Sequence, residues 1–411
     1  MSNHPVPSFY NPIMKGFYLI KESLVATVMI LIITFSVSYI PIKFEFTKPI
    51  RQGFLGFDIY DLYYSGRHLN PKRDTNIVIV EIGSDRATIA HQISLIQKYS
   101  PAVIGIDALF EKEKDEEPIE NIKLLQAISQ SDNIIFASKY DTDPVTGKPV
   151  FIHNFFEEKD EHYHSGYFNL IGSQFSVIRN YPPFLKAADS LYPAFTSAIA
   201  KIFSPDRFNK LKKRNRKLEV INYKGNLESY TSLTIEGLLQ ADSTGQLASL
   251  LTQKIVLLGY FVKDKHLVID DLHFSPLNEE VAGKNYPDMY GVVIHANILS
   301  MILNGNYVTQ ASSFVSYLLA GVITFLFLLF ILWRYKKHKH PKHYWLLLAQ
   351  FAVVLFVLYV FLQVFNWFQV KVPLLPIMIA LALCVELLDI YKMIALRLHK
   401  KYRYKTVFTY K

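Results

Sequence analysis

The stretch NIVIVEIGSDRATIAHQISLIQKYSPAVIGIDALF, residues 76–110, predicts a strand, a helix and a second strand. Residues 76–83 form a β-branched run that ends at glycine, Asp85 can cap a helix, and residues 86–99 have helical periodicity. Residues 102–110 are a second apolar run, which is too short for a buried helix. This order favours a sheet of parallel strands covered by helices.

Other segments continue the alternation of strands and helices. The further predicted helices are 119–129, 194–203 and 291–303, and the further predicted strands are 133–138, 217–223 and 254–259. The fold class predicted for this part of the chain is therefore mixed α/β, with a largely parallel sheet, flanking helices and some antiparallel additions.

Four apolar stretches lie outside this region, at residues 24–40, 314–333, 344–365 and 372–390. Each has about the length of 17–25 residues that a helix needs to cross the hydrocarbon core of a bilayer. The sequence thus predicts four transmembrane helices, one before the α/β domain and three after it.

Charge is distributed unevenly between these parts. Residues 42–312 carry 29 Lys+Arg and 32 Asp+Glu, whereas the rest of the chain carries 15 Lys+Arg and only 3 Asp+Glu. The basic clusters precede the first stretch, separate the second from the third, and follow the fourth. Because basic residues favour the cytoplasmic side, we expect both termini in the cytoplasm and the α/β domain outside.

These observations predict the following order of segments in a multi-pass membrane protein. They are a cytoplasmic segment 1–23, helix 24–41, an extracytoplasmic domain 42–312, helix 313–333, a basic loop 334–343, helices 344–366 and 370–391, and a basic tail 392–411. A signal peptide is the alternative for the first stretch, but no small-residue cleavage pattern follows it. The single cysteine, Cys384, lies in the fourth stretch, so the outer domain contains no disulfide.

Candidate ligand-binding residues follow from the rule that ligands of open α/β sheets sit beyond the carboxyl ends of the strands. The candidates are Asp85, Asp107, Arg179, Asp271, His273, His295 and Asn297. Asp107 ends an apolar run, so its carboxylate needs a partner or a ligand; the alternative is that it caps a loop or pairs with a base such as Arg179. For His295, in an apolar helical run, the alternative is a core histidine.

Several function classes find no support in the sequence. It contains no phosphate-binding glycine loop, nucleophile elbow, zinc-protease helix or kinase signature, so no enzyme activity, cofactor or metal is expected. The basic run 210–217 lacks interleaved aromatics and is interpreted as a solvated surface rather than a nucleic-acid site. Glu386 and Asp389 leave ion transport as a minor alternative.

An ordered set of blocks resembles the extracellular sensory domain of bacterial cyclases and histidine kinases, the second class of the CHASE group. The blocks are FDIYD (57–61), IVIVEI (77–82), PAVIGIDALF (101–110), GYFN (166–169), VIR (177–179), PAFTSA (193–198), INYKG (221–225), KIVLLG (254–259), DLHFSP (271–276) and GVVIHAN (291–297). The resemblance implies a sensory domain with one helix before it and up to three after it, in a protein of the bacterial inner membrane.

Two departures from the family pattern affect what the resemblance implies. Where the family usually has an aspartate and a glycine before the arginine, this chain has GSQFS at 172–176. Family members commonly continue into a cyclase or kinase domain, whereas residues 393–411 are too few to fold into an enzyme, so we expect no output domain.

The function predicted from these features is an extracytoplasmic sensor that detects a ligand or an envelope state and signals through a separate partner protein. The expected partners are the lipid bilayer, a signalling or membrane protein, a small-molecule ligand and a second copy in a homodimer, but no nucleic acid. One alternative is a structural subunit of an envelope complex. Another is a periplasmic hydrolase with Asp107, Asp271, His273 and His295 around a metal, which requires these four side chains to converge.

Overall fold

A computed structural model describes residues 12–39, 58–66, 73–113, 118–142, 149–157, 164–170, 176–187, 190–262, 271–278, 286–337 and 343–409. The chain divides into two units. One, the helical unit, combines Met1–Pro49 with Thr309–Lys411, and the other, the α/β unit, is Ile50–Val308.

The elements are numbered along the chain. The helices are α1 (Pro12–Tyr39), α2 (Asp61–Ser65), α3 (Arg86–Gln97), α4 (Pro118–Ser129), α5 (Phe195–Phe203), α6 (Pro205–Arg214), α7 (Ile235–Ser243), α8 (Leu247–Leu251), α9 (Gly291–Asn304), α10 (Ser313–Lys337), α11 (His343–Phe368), α12 (Leu375–Ala382) and α13 (Cys384–Tyr402). The strands are β1 (Asp74–Glu81), β2 (Val103–Ile106), β3 (Ile134–Thr142), β4 (Pro149–Ile152), β5 (His164–Tyr167), β6 (Asn180–Tyr181), β7 (Phe184–Ala187), β8 (Ser190–Pro193), β9 (Glu219–Val220), β10 (Tyr230–Leu233), β11 (Ile255–Gly259), β12 (Leu272–His273), β13 (Met289–Tyr290), β14 (Thr309–Gln310) and β15 (Val370–Lys371).

The α/β unit is built on a mostly parallel sheet of seven strands. Its order is β10-β1-β11-β2-β3, with β4 and β5 both paired to β3. Only β4 runs antiparallel. In register, Ile77 lies beside Ile255, and Val256 beside Ile104. The predicted mixed α/β class with a largely parallel sheet is confirmed.

Helices cover both faces of this sheet, which is why its central strands are apolar on both sides. On one face, Val78, Val80, Ile104 and Val256 belong to a buried cluster with side chains of α3, α4, α7 and α8. On the other face, α9 packs against β1, β11 and α5. Asp107, at the carboxyl end of β2, is thereby placed next to the start of α9.

Two predicted strands are much shorter than expected. The predicted strand 102–110 is observed only over Val103–Ile106. Of residues 217–223, only Glu219–Val220 form a strand, β9, which pairs with β6. Beyond it, the backbone N–H of Asn222 points to the sulfur of Met301 on α9 instead of to a strand. This segment therefore leaves the sheet pairing because it packs onto the helix.

Three helices of the helical unit are long and apolar enough to cross a membrane: Gly16–Val37, Ser313–Tyr335 and His343–Phe368. The fourth apolar stretch has a different form. Strand β15 lies directly before it, and the stretch itself forms two helices, α12 and α13, which meet at Leu383. The described residues thus contain three candidate spans, one N-terminal and two C-terminal, and a fourth is not shown.

Candidate functional site

The site begins where β2 ends. Asp107 directly follows β2, and its backbone N–H donates a 2.8 Å hydrogen bond to the carbonyl of Leu258 on β11. Gly259 ends β11 at the same edge of the sheet, where a Cβ atom would lie 2.6 Å from Val292. The absent side chain thus lets α9 approach the strand ends.

A short hairpin brings two further polar side chains to the same edge. Strands β12 and β13 pair antiparallel, with His273 opposite Met289, and β13 leads directly into Gly291, the first residue of α9. Asp271, just before β12, has a left-handed φ of 69°, a conformation that aspartate tolerates better than most residues. Asp271 and His273 are therefore held beside the N-terminus of α9.

Three polar atoms surround the open space over Gly291. A Cβ atom on Gly291 would lie 3.8 Å from Nε2 of His273, 3.9 Å from Oδ2 of Asp107 and 4.0 Å from Oδ2 of Asp271. We call this space, bounded by His273, Asp107 and Asp271 above Gly291, the Gly291 niche. His295, one helical turn after Gly291, places Nε2 3.8 Å from Oδ1 of Asp107.

The niche has a buried side and an open side. The Asp107 side chain is 13 % exposed and that of His295 is 5 % exposed. In contrast, Asp271 is 53 % exposed and His273 is 35 % exposed. The solvent-exposed side of the niche is thus the side of Asp271 and His273.

Burial shifts the pKa of each of the four groups in the direction that favours its neutral form. It raises the pKa of Asp107 to about 7 and lowers the pKa of His295 to about 4. Burial, and then the charge of Asp107, raise the pKa of Asp271, while burial lowers the pKa of His273. Above pH 7, therefore, the site holds two carboxylates and two neutral imidazoles.

His295 is buried without a full set of hydrogen bonds. Its Nδ1 atom has no hydrogen-bond partner among the described residues, and its ring edge meets Phe195 at a centroid distance of 5.4 Å. It also borders a cavity of about 10 Å³, lined in part by Thr196 and Tyr181, about the space that one water molecule needs. The prediction that His295 lies in an apolar helix is confirmed, but its polar atoms are not satisfied as in an ordinary core histidine.

The other three candidates have structural partners elsewhere. Asp85 caps α3 as predicted, accepting hydrogen bonds of 2.8 Å from the N–H and 2.7 Å from the hydroxyl of Thr88. Arg179 forms a buried ion pair with Asp61, with a distance of 3.0 Å from Nε to Oδ1. The alternative that Arg179 pairs with Asp107 is therefore wrong, because Asp61 on α2 neutralises it.

Asn297 is completely buried on α9 and fixes a loop. Its Oδ1 accepts from the N–H of Lys224 at 2.7 Å, and its Nδ2 donates to the carbonyls of Gly225 and Val293, both at 2.9 Å. The structure thus brings Asp107, Asp271, His273 and His295 together, but not Asp85, Arg179 or Asn297. Ligand binding by any of the seven stays a prediction.

The residue that sequence reasoning missed is Gly291. The signal in the sequence is a glycine at the start of an apolar helix, four residues before His295. Residues i and i+4 of a helix lie on the same face, so Gly291 and His295 share one face. Sequence alone gave no reason to place Asp107 or His273 around it.

The four converging side chains do not form a metal centre. Within the described parts of the chain, no group of three or more His, Cys, Asp or Glu side chains is arranged to hold a metal ion. The departure from the family pattern at 172–175 lies outside the described residues.

Comparison with known families identifies the domain around this site. A family model described as the CHASE2 domain matches residues 27–333. This chain belongs to the CHASE2 domain family. The match covers about three quarters of the 411 residues and includes the whole α/β unit, so the Gly291 niche lies within the CHASE2 sensory domain. No curated protein and no solved structure matches the chain significantly.

Proposed function

We propose that this protein is a membrane-bound sensor whose CHASE2 domain binds a small molecule in the Gly291 niche and signals through a separate partner protein. The observation that carries this proposal is the convergence of Asp107, Asp271 and His273 on one open space beside a buried, incompletely bonded His295. A carboxylate buried without a compensating partner costs stability, and such groups are typical of binding sites.

The position of the niche gives a ligand a short covalent route to the membrane. The niche lies at the start of α9, and residues 305–312 separate the end of α9 from the start of α10. A ligand that binds one position of α9 more tightly than another shifts the helix toward that position. Such a shift would pass through residues 305–312 to α10.

The proposed topology has four spans, with both termini in the cytoplasm of a cell with an inner membrane. Helical hydrogen bonds continue through the junction of α12 and α13, from the N–H of Leu383 to Ile379 and from the N–H of Leu387 to Leu383. The two helices can therefore act as one span. An even number of spans puts the basic residues at both ends of the chain on the same side, in accord with the positive-inside rule.

Cysteine labelling of intact cells tests this topology. In a Cys384→Ser background, we expect a membrane-impermeant maleimide to label Ile119→Cys, on exposed α4, and not Tyr402→Cys, at the exposed end of α13. Labelling of Tyr402→Cys without permeabilisation would contradict the four-span arrangement.

A hydrolase is a second candidate, because the convergence that it requires is observed for Asp107, Asp271, His273 and His295. It takes second place, since the described residues hold no metal-binding group that would activate a water molecule. Turnover of an ester or amide substrate that is lost in His295→Gln would favour this candidate over the sensor.

The sensor proposal is tested by coupling the niche to a partner contact. Exposed Tyr402 of the full chain is replaced by a photo-crosslinking amino acid, and the protein is expressed in its own cells. The crosslink is compared in three proteins: wild type, Gly291→Ala and Gly66→Ala. Gly291→Ala fills the niche with a methyl group at ordinary contact distances, while a Cβ on Gly66 meets nothing within 4 Å. We expect a crosslinked partner whose yield changes about fivefold or more in Gly291→Ala only. Equal yields in all three backgrounds, or no crosslink, would contradict the proposal.

A further inference from the structure

The Gly291 niche is lined by hydrogen-bond acceptors. An ionised carboxylate only accepts hydrogen bonds, and a neutral imidazole has one accepting nitrogen. Oδ2 of Asp107, Oδ2 of Asp271 and Nε2 of His273 all lie 3.8–4.0 Å from the Cβ position of Gly291. Apart from Gly291, its chain neighbours and the helix backbone, these three atoms are the nearest heavy atoms to that position, so a group bound beside Gly291 meets acceptors first.

The net charge of the niche selects a cation. With both carboxylates ionised and the imidazoles neutral, it carries two negative charges, and no Lys or Arg of the described residues contributes to the pKa shift of Asp107 or Asp271. The N-terminus of α9 carries a partial positive charge of only about half a unit, and this charge disfavours a cation. Two carboxylates therefore outweigh it.

On these grounds we propose that the Gly291 niche binds the primary ammonium group of a small organic amine. The ammonium group donates one hydrogen bond each to Asp107, Asp271 and His273. This inference rests on the proposed sensor function and names the class of its ligand. A primary ammonium group has three N–H donors and no acceptor, which matches three acceptors around one point. A quaternary ammonium has the same charge without donors, and a guanidinium needs a planar arrangement of acceptors.

His295 supports this site from the buried side as a positioning residue. Its Nε2 lies 3.8 Å from Oδ1 of Asp107, while the other oxygen of Asp107 faces the niche. Because the Nδ1 of His295 lacks a partner among the described residues, the imidazole is free to choose its tautomer. At 3.8 Å its interaction with Asp107 is electrostatic rather than a hydrogen bond, and it keeps a neutral polar group beside that carboxylate.

The test uses the full chain in lipid nanodiscs and methylammonium chloride as the probe. A ligand with two non-hydrogen atoms binds at best in the millimolar range, so the titration extends to 100 mM, with tetramethylammonium chloride at equal ionic strength as the matched cation. We expect methylammonium alone to raise the melting temperature. The increase should disappear in Asp107→Asn, Asp271→Asn and Gly291→Ala and persist in Gly66→Ala.

The pH profile provides a second readout. Since the pKa of Asp107 is about 7, its ionised fraction falls about tenfold between pH 8 and pH 6. The affinity for methylammonium should fall at least as much. Equal stabilisation by both cations, no stabilisation by either, or an effect that survives Gly291→Ala would overturn the ammonium site.

The failures of the two proposals are distinguishable. If methylammonium has no effect but Gly291→Ala still changes the crosslink at position 402, the sensor stands with a different ligand chemistry. If methylammonium binds in the niche but the crosslink never changes, the ammonium site stands and the sensor proposal fails.

Discussion

Asp74 is buried and Asp107 is largely shielded from solvent, both in the α/β unit, yet the fold surrounds them very differently. Asp74 begins β1 and accepts hydrogen bonds from Lys224 Nζ at 2.9 Å, the Ser300 hydroxyl at 2.6 Å and the N–H of Asn76 at 3.0 Å. Although burial alone would raise its pKa, these bonds lower the pKa below the usual value.

Asp107 lies at the opposite end of the sheet, where the ion-pair partner that it has among the described residues is the imidazole of His295 at 3.8 Å, and burial raises its pKa to about 7. Both aspartates face α9, which offers Ser300 to one and His295 to the other. The difference teaches that the protein can satisfy a buried carboxylate at this helix and does so at one end only. The unsatisfied end is where a ligand can supply the missing interaction.

The largest expected effect on stability comes from a substitution of Asp74, the aspartate that accepts three hydrogen bonds. Asp74→Asn should destabilise the α/β unit by about 3 kcal/mol, because it leaves the ammonium of Lys224 facing an amide in a largely buried position. Thermal unfolding of the full chain in detergent, followed by circular dichroism, measures this as a drop of several degrees in Tm. An unchanged Tm would remove the contrast between the two aspartates.

The matched substitution of Asp107 should change stability in the opposite direction. Asp107→Asn should stabilise the protein by on the order of 2 kcal/mol at pH 8, because it removes a buried, uncompensated charge. The pKa of this carboxyl is about 7 in the folded protein, against an ordinary value of 3.8, so the gain should grow as pH rises from 4 to 7 and then stay constant. Unfolding from pH 4 to 8 tests this, and a loss of stability at pH 8 would show that Asp107 is satisfied.

His295→Gln should show the reverse pH dependence. Burial lowers the pKa of His295 to about 4 from 6.5, so the unfolded chain binds a proton that the folded chain excludes, and the wild type loses stability as pH falls from 6.5 to 4. Relative to wild type, His295→Gln should therefore gain on the order of 2 kcal/mol over that interval. A stability difference that does not vary with pH would mean that folding leaves the pKa of His295 unchanged.

The smallest expected effect on stability comes from filling the Gly291 niche with a methyl group. Gly291→Ala should stabilise the protein by about 0.5–1 kcal/mol, because alanine favours a helix and its methyl group meets neighbours only at ordinary contact distances. The same thermal unfolding experiment measures it, with Gly66→Ala as the control. A marked loss of stability would indicate that the niche is packed rather than open.

Much of the fold could be predicted from particular residues. The apolar runs around Val78, Ile104 and Val256 predict buried parallel strands, and the sequence after Gly83 predicts that Asp85 caps α3, both of which the structure confirms. The position of Asp107 at a strand end followed from the same pattern. These features are local, so the sequence carries their signal directly.

The partners within the site could not be predicted, because they depend on long-range contacts. Arg179 pairs with Asp61, 118 residues away, and nothing in the sequence distinguishes that carboxylate from Asp107. Similarly, the β12–β13 hairpin brings Asp271 and His273 to Gly291. At Leu383, the division of the fourth apolar stretch has no proline or glycine signal.

The most direct test of the ligand site is hydrogen–deuterium exchange of the full chain in nanodiscs, with and without the low-molecular-mass fraction of its own cells. We expect that fraction to slow exchange in peptides from 286–304 in wild type and Gly66→Ala, but not in Gly291→Ala. Equal protection in all three proteins, or none in any of them, would contradict a ligand site at the Gly291 niche.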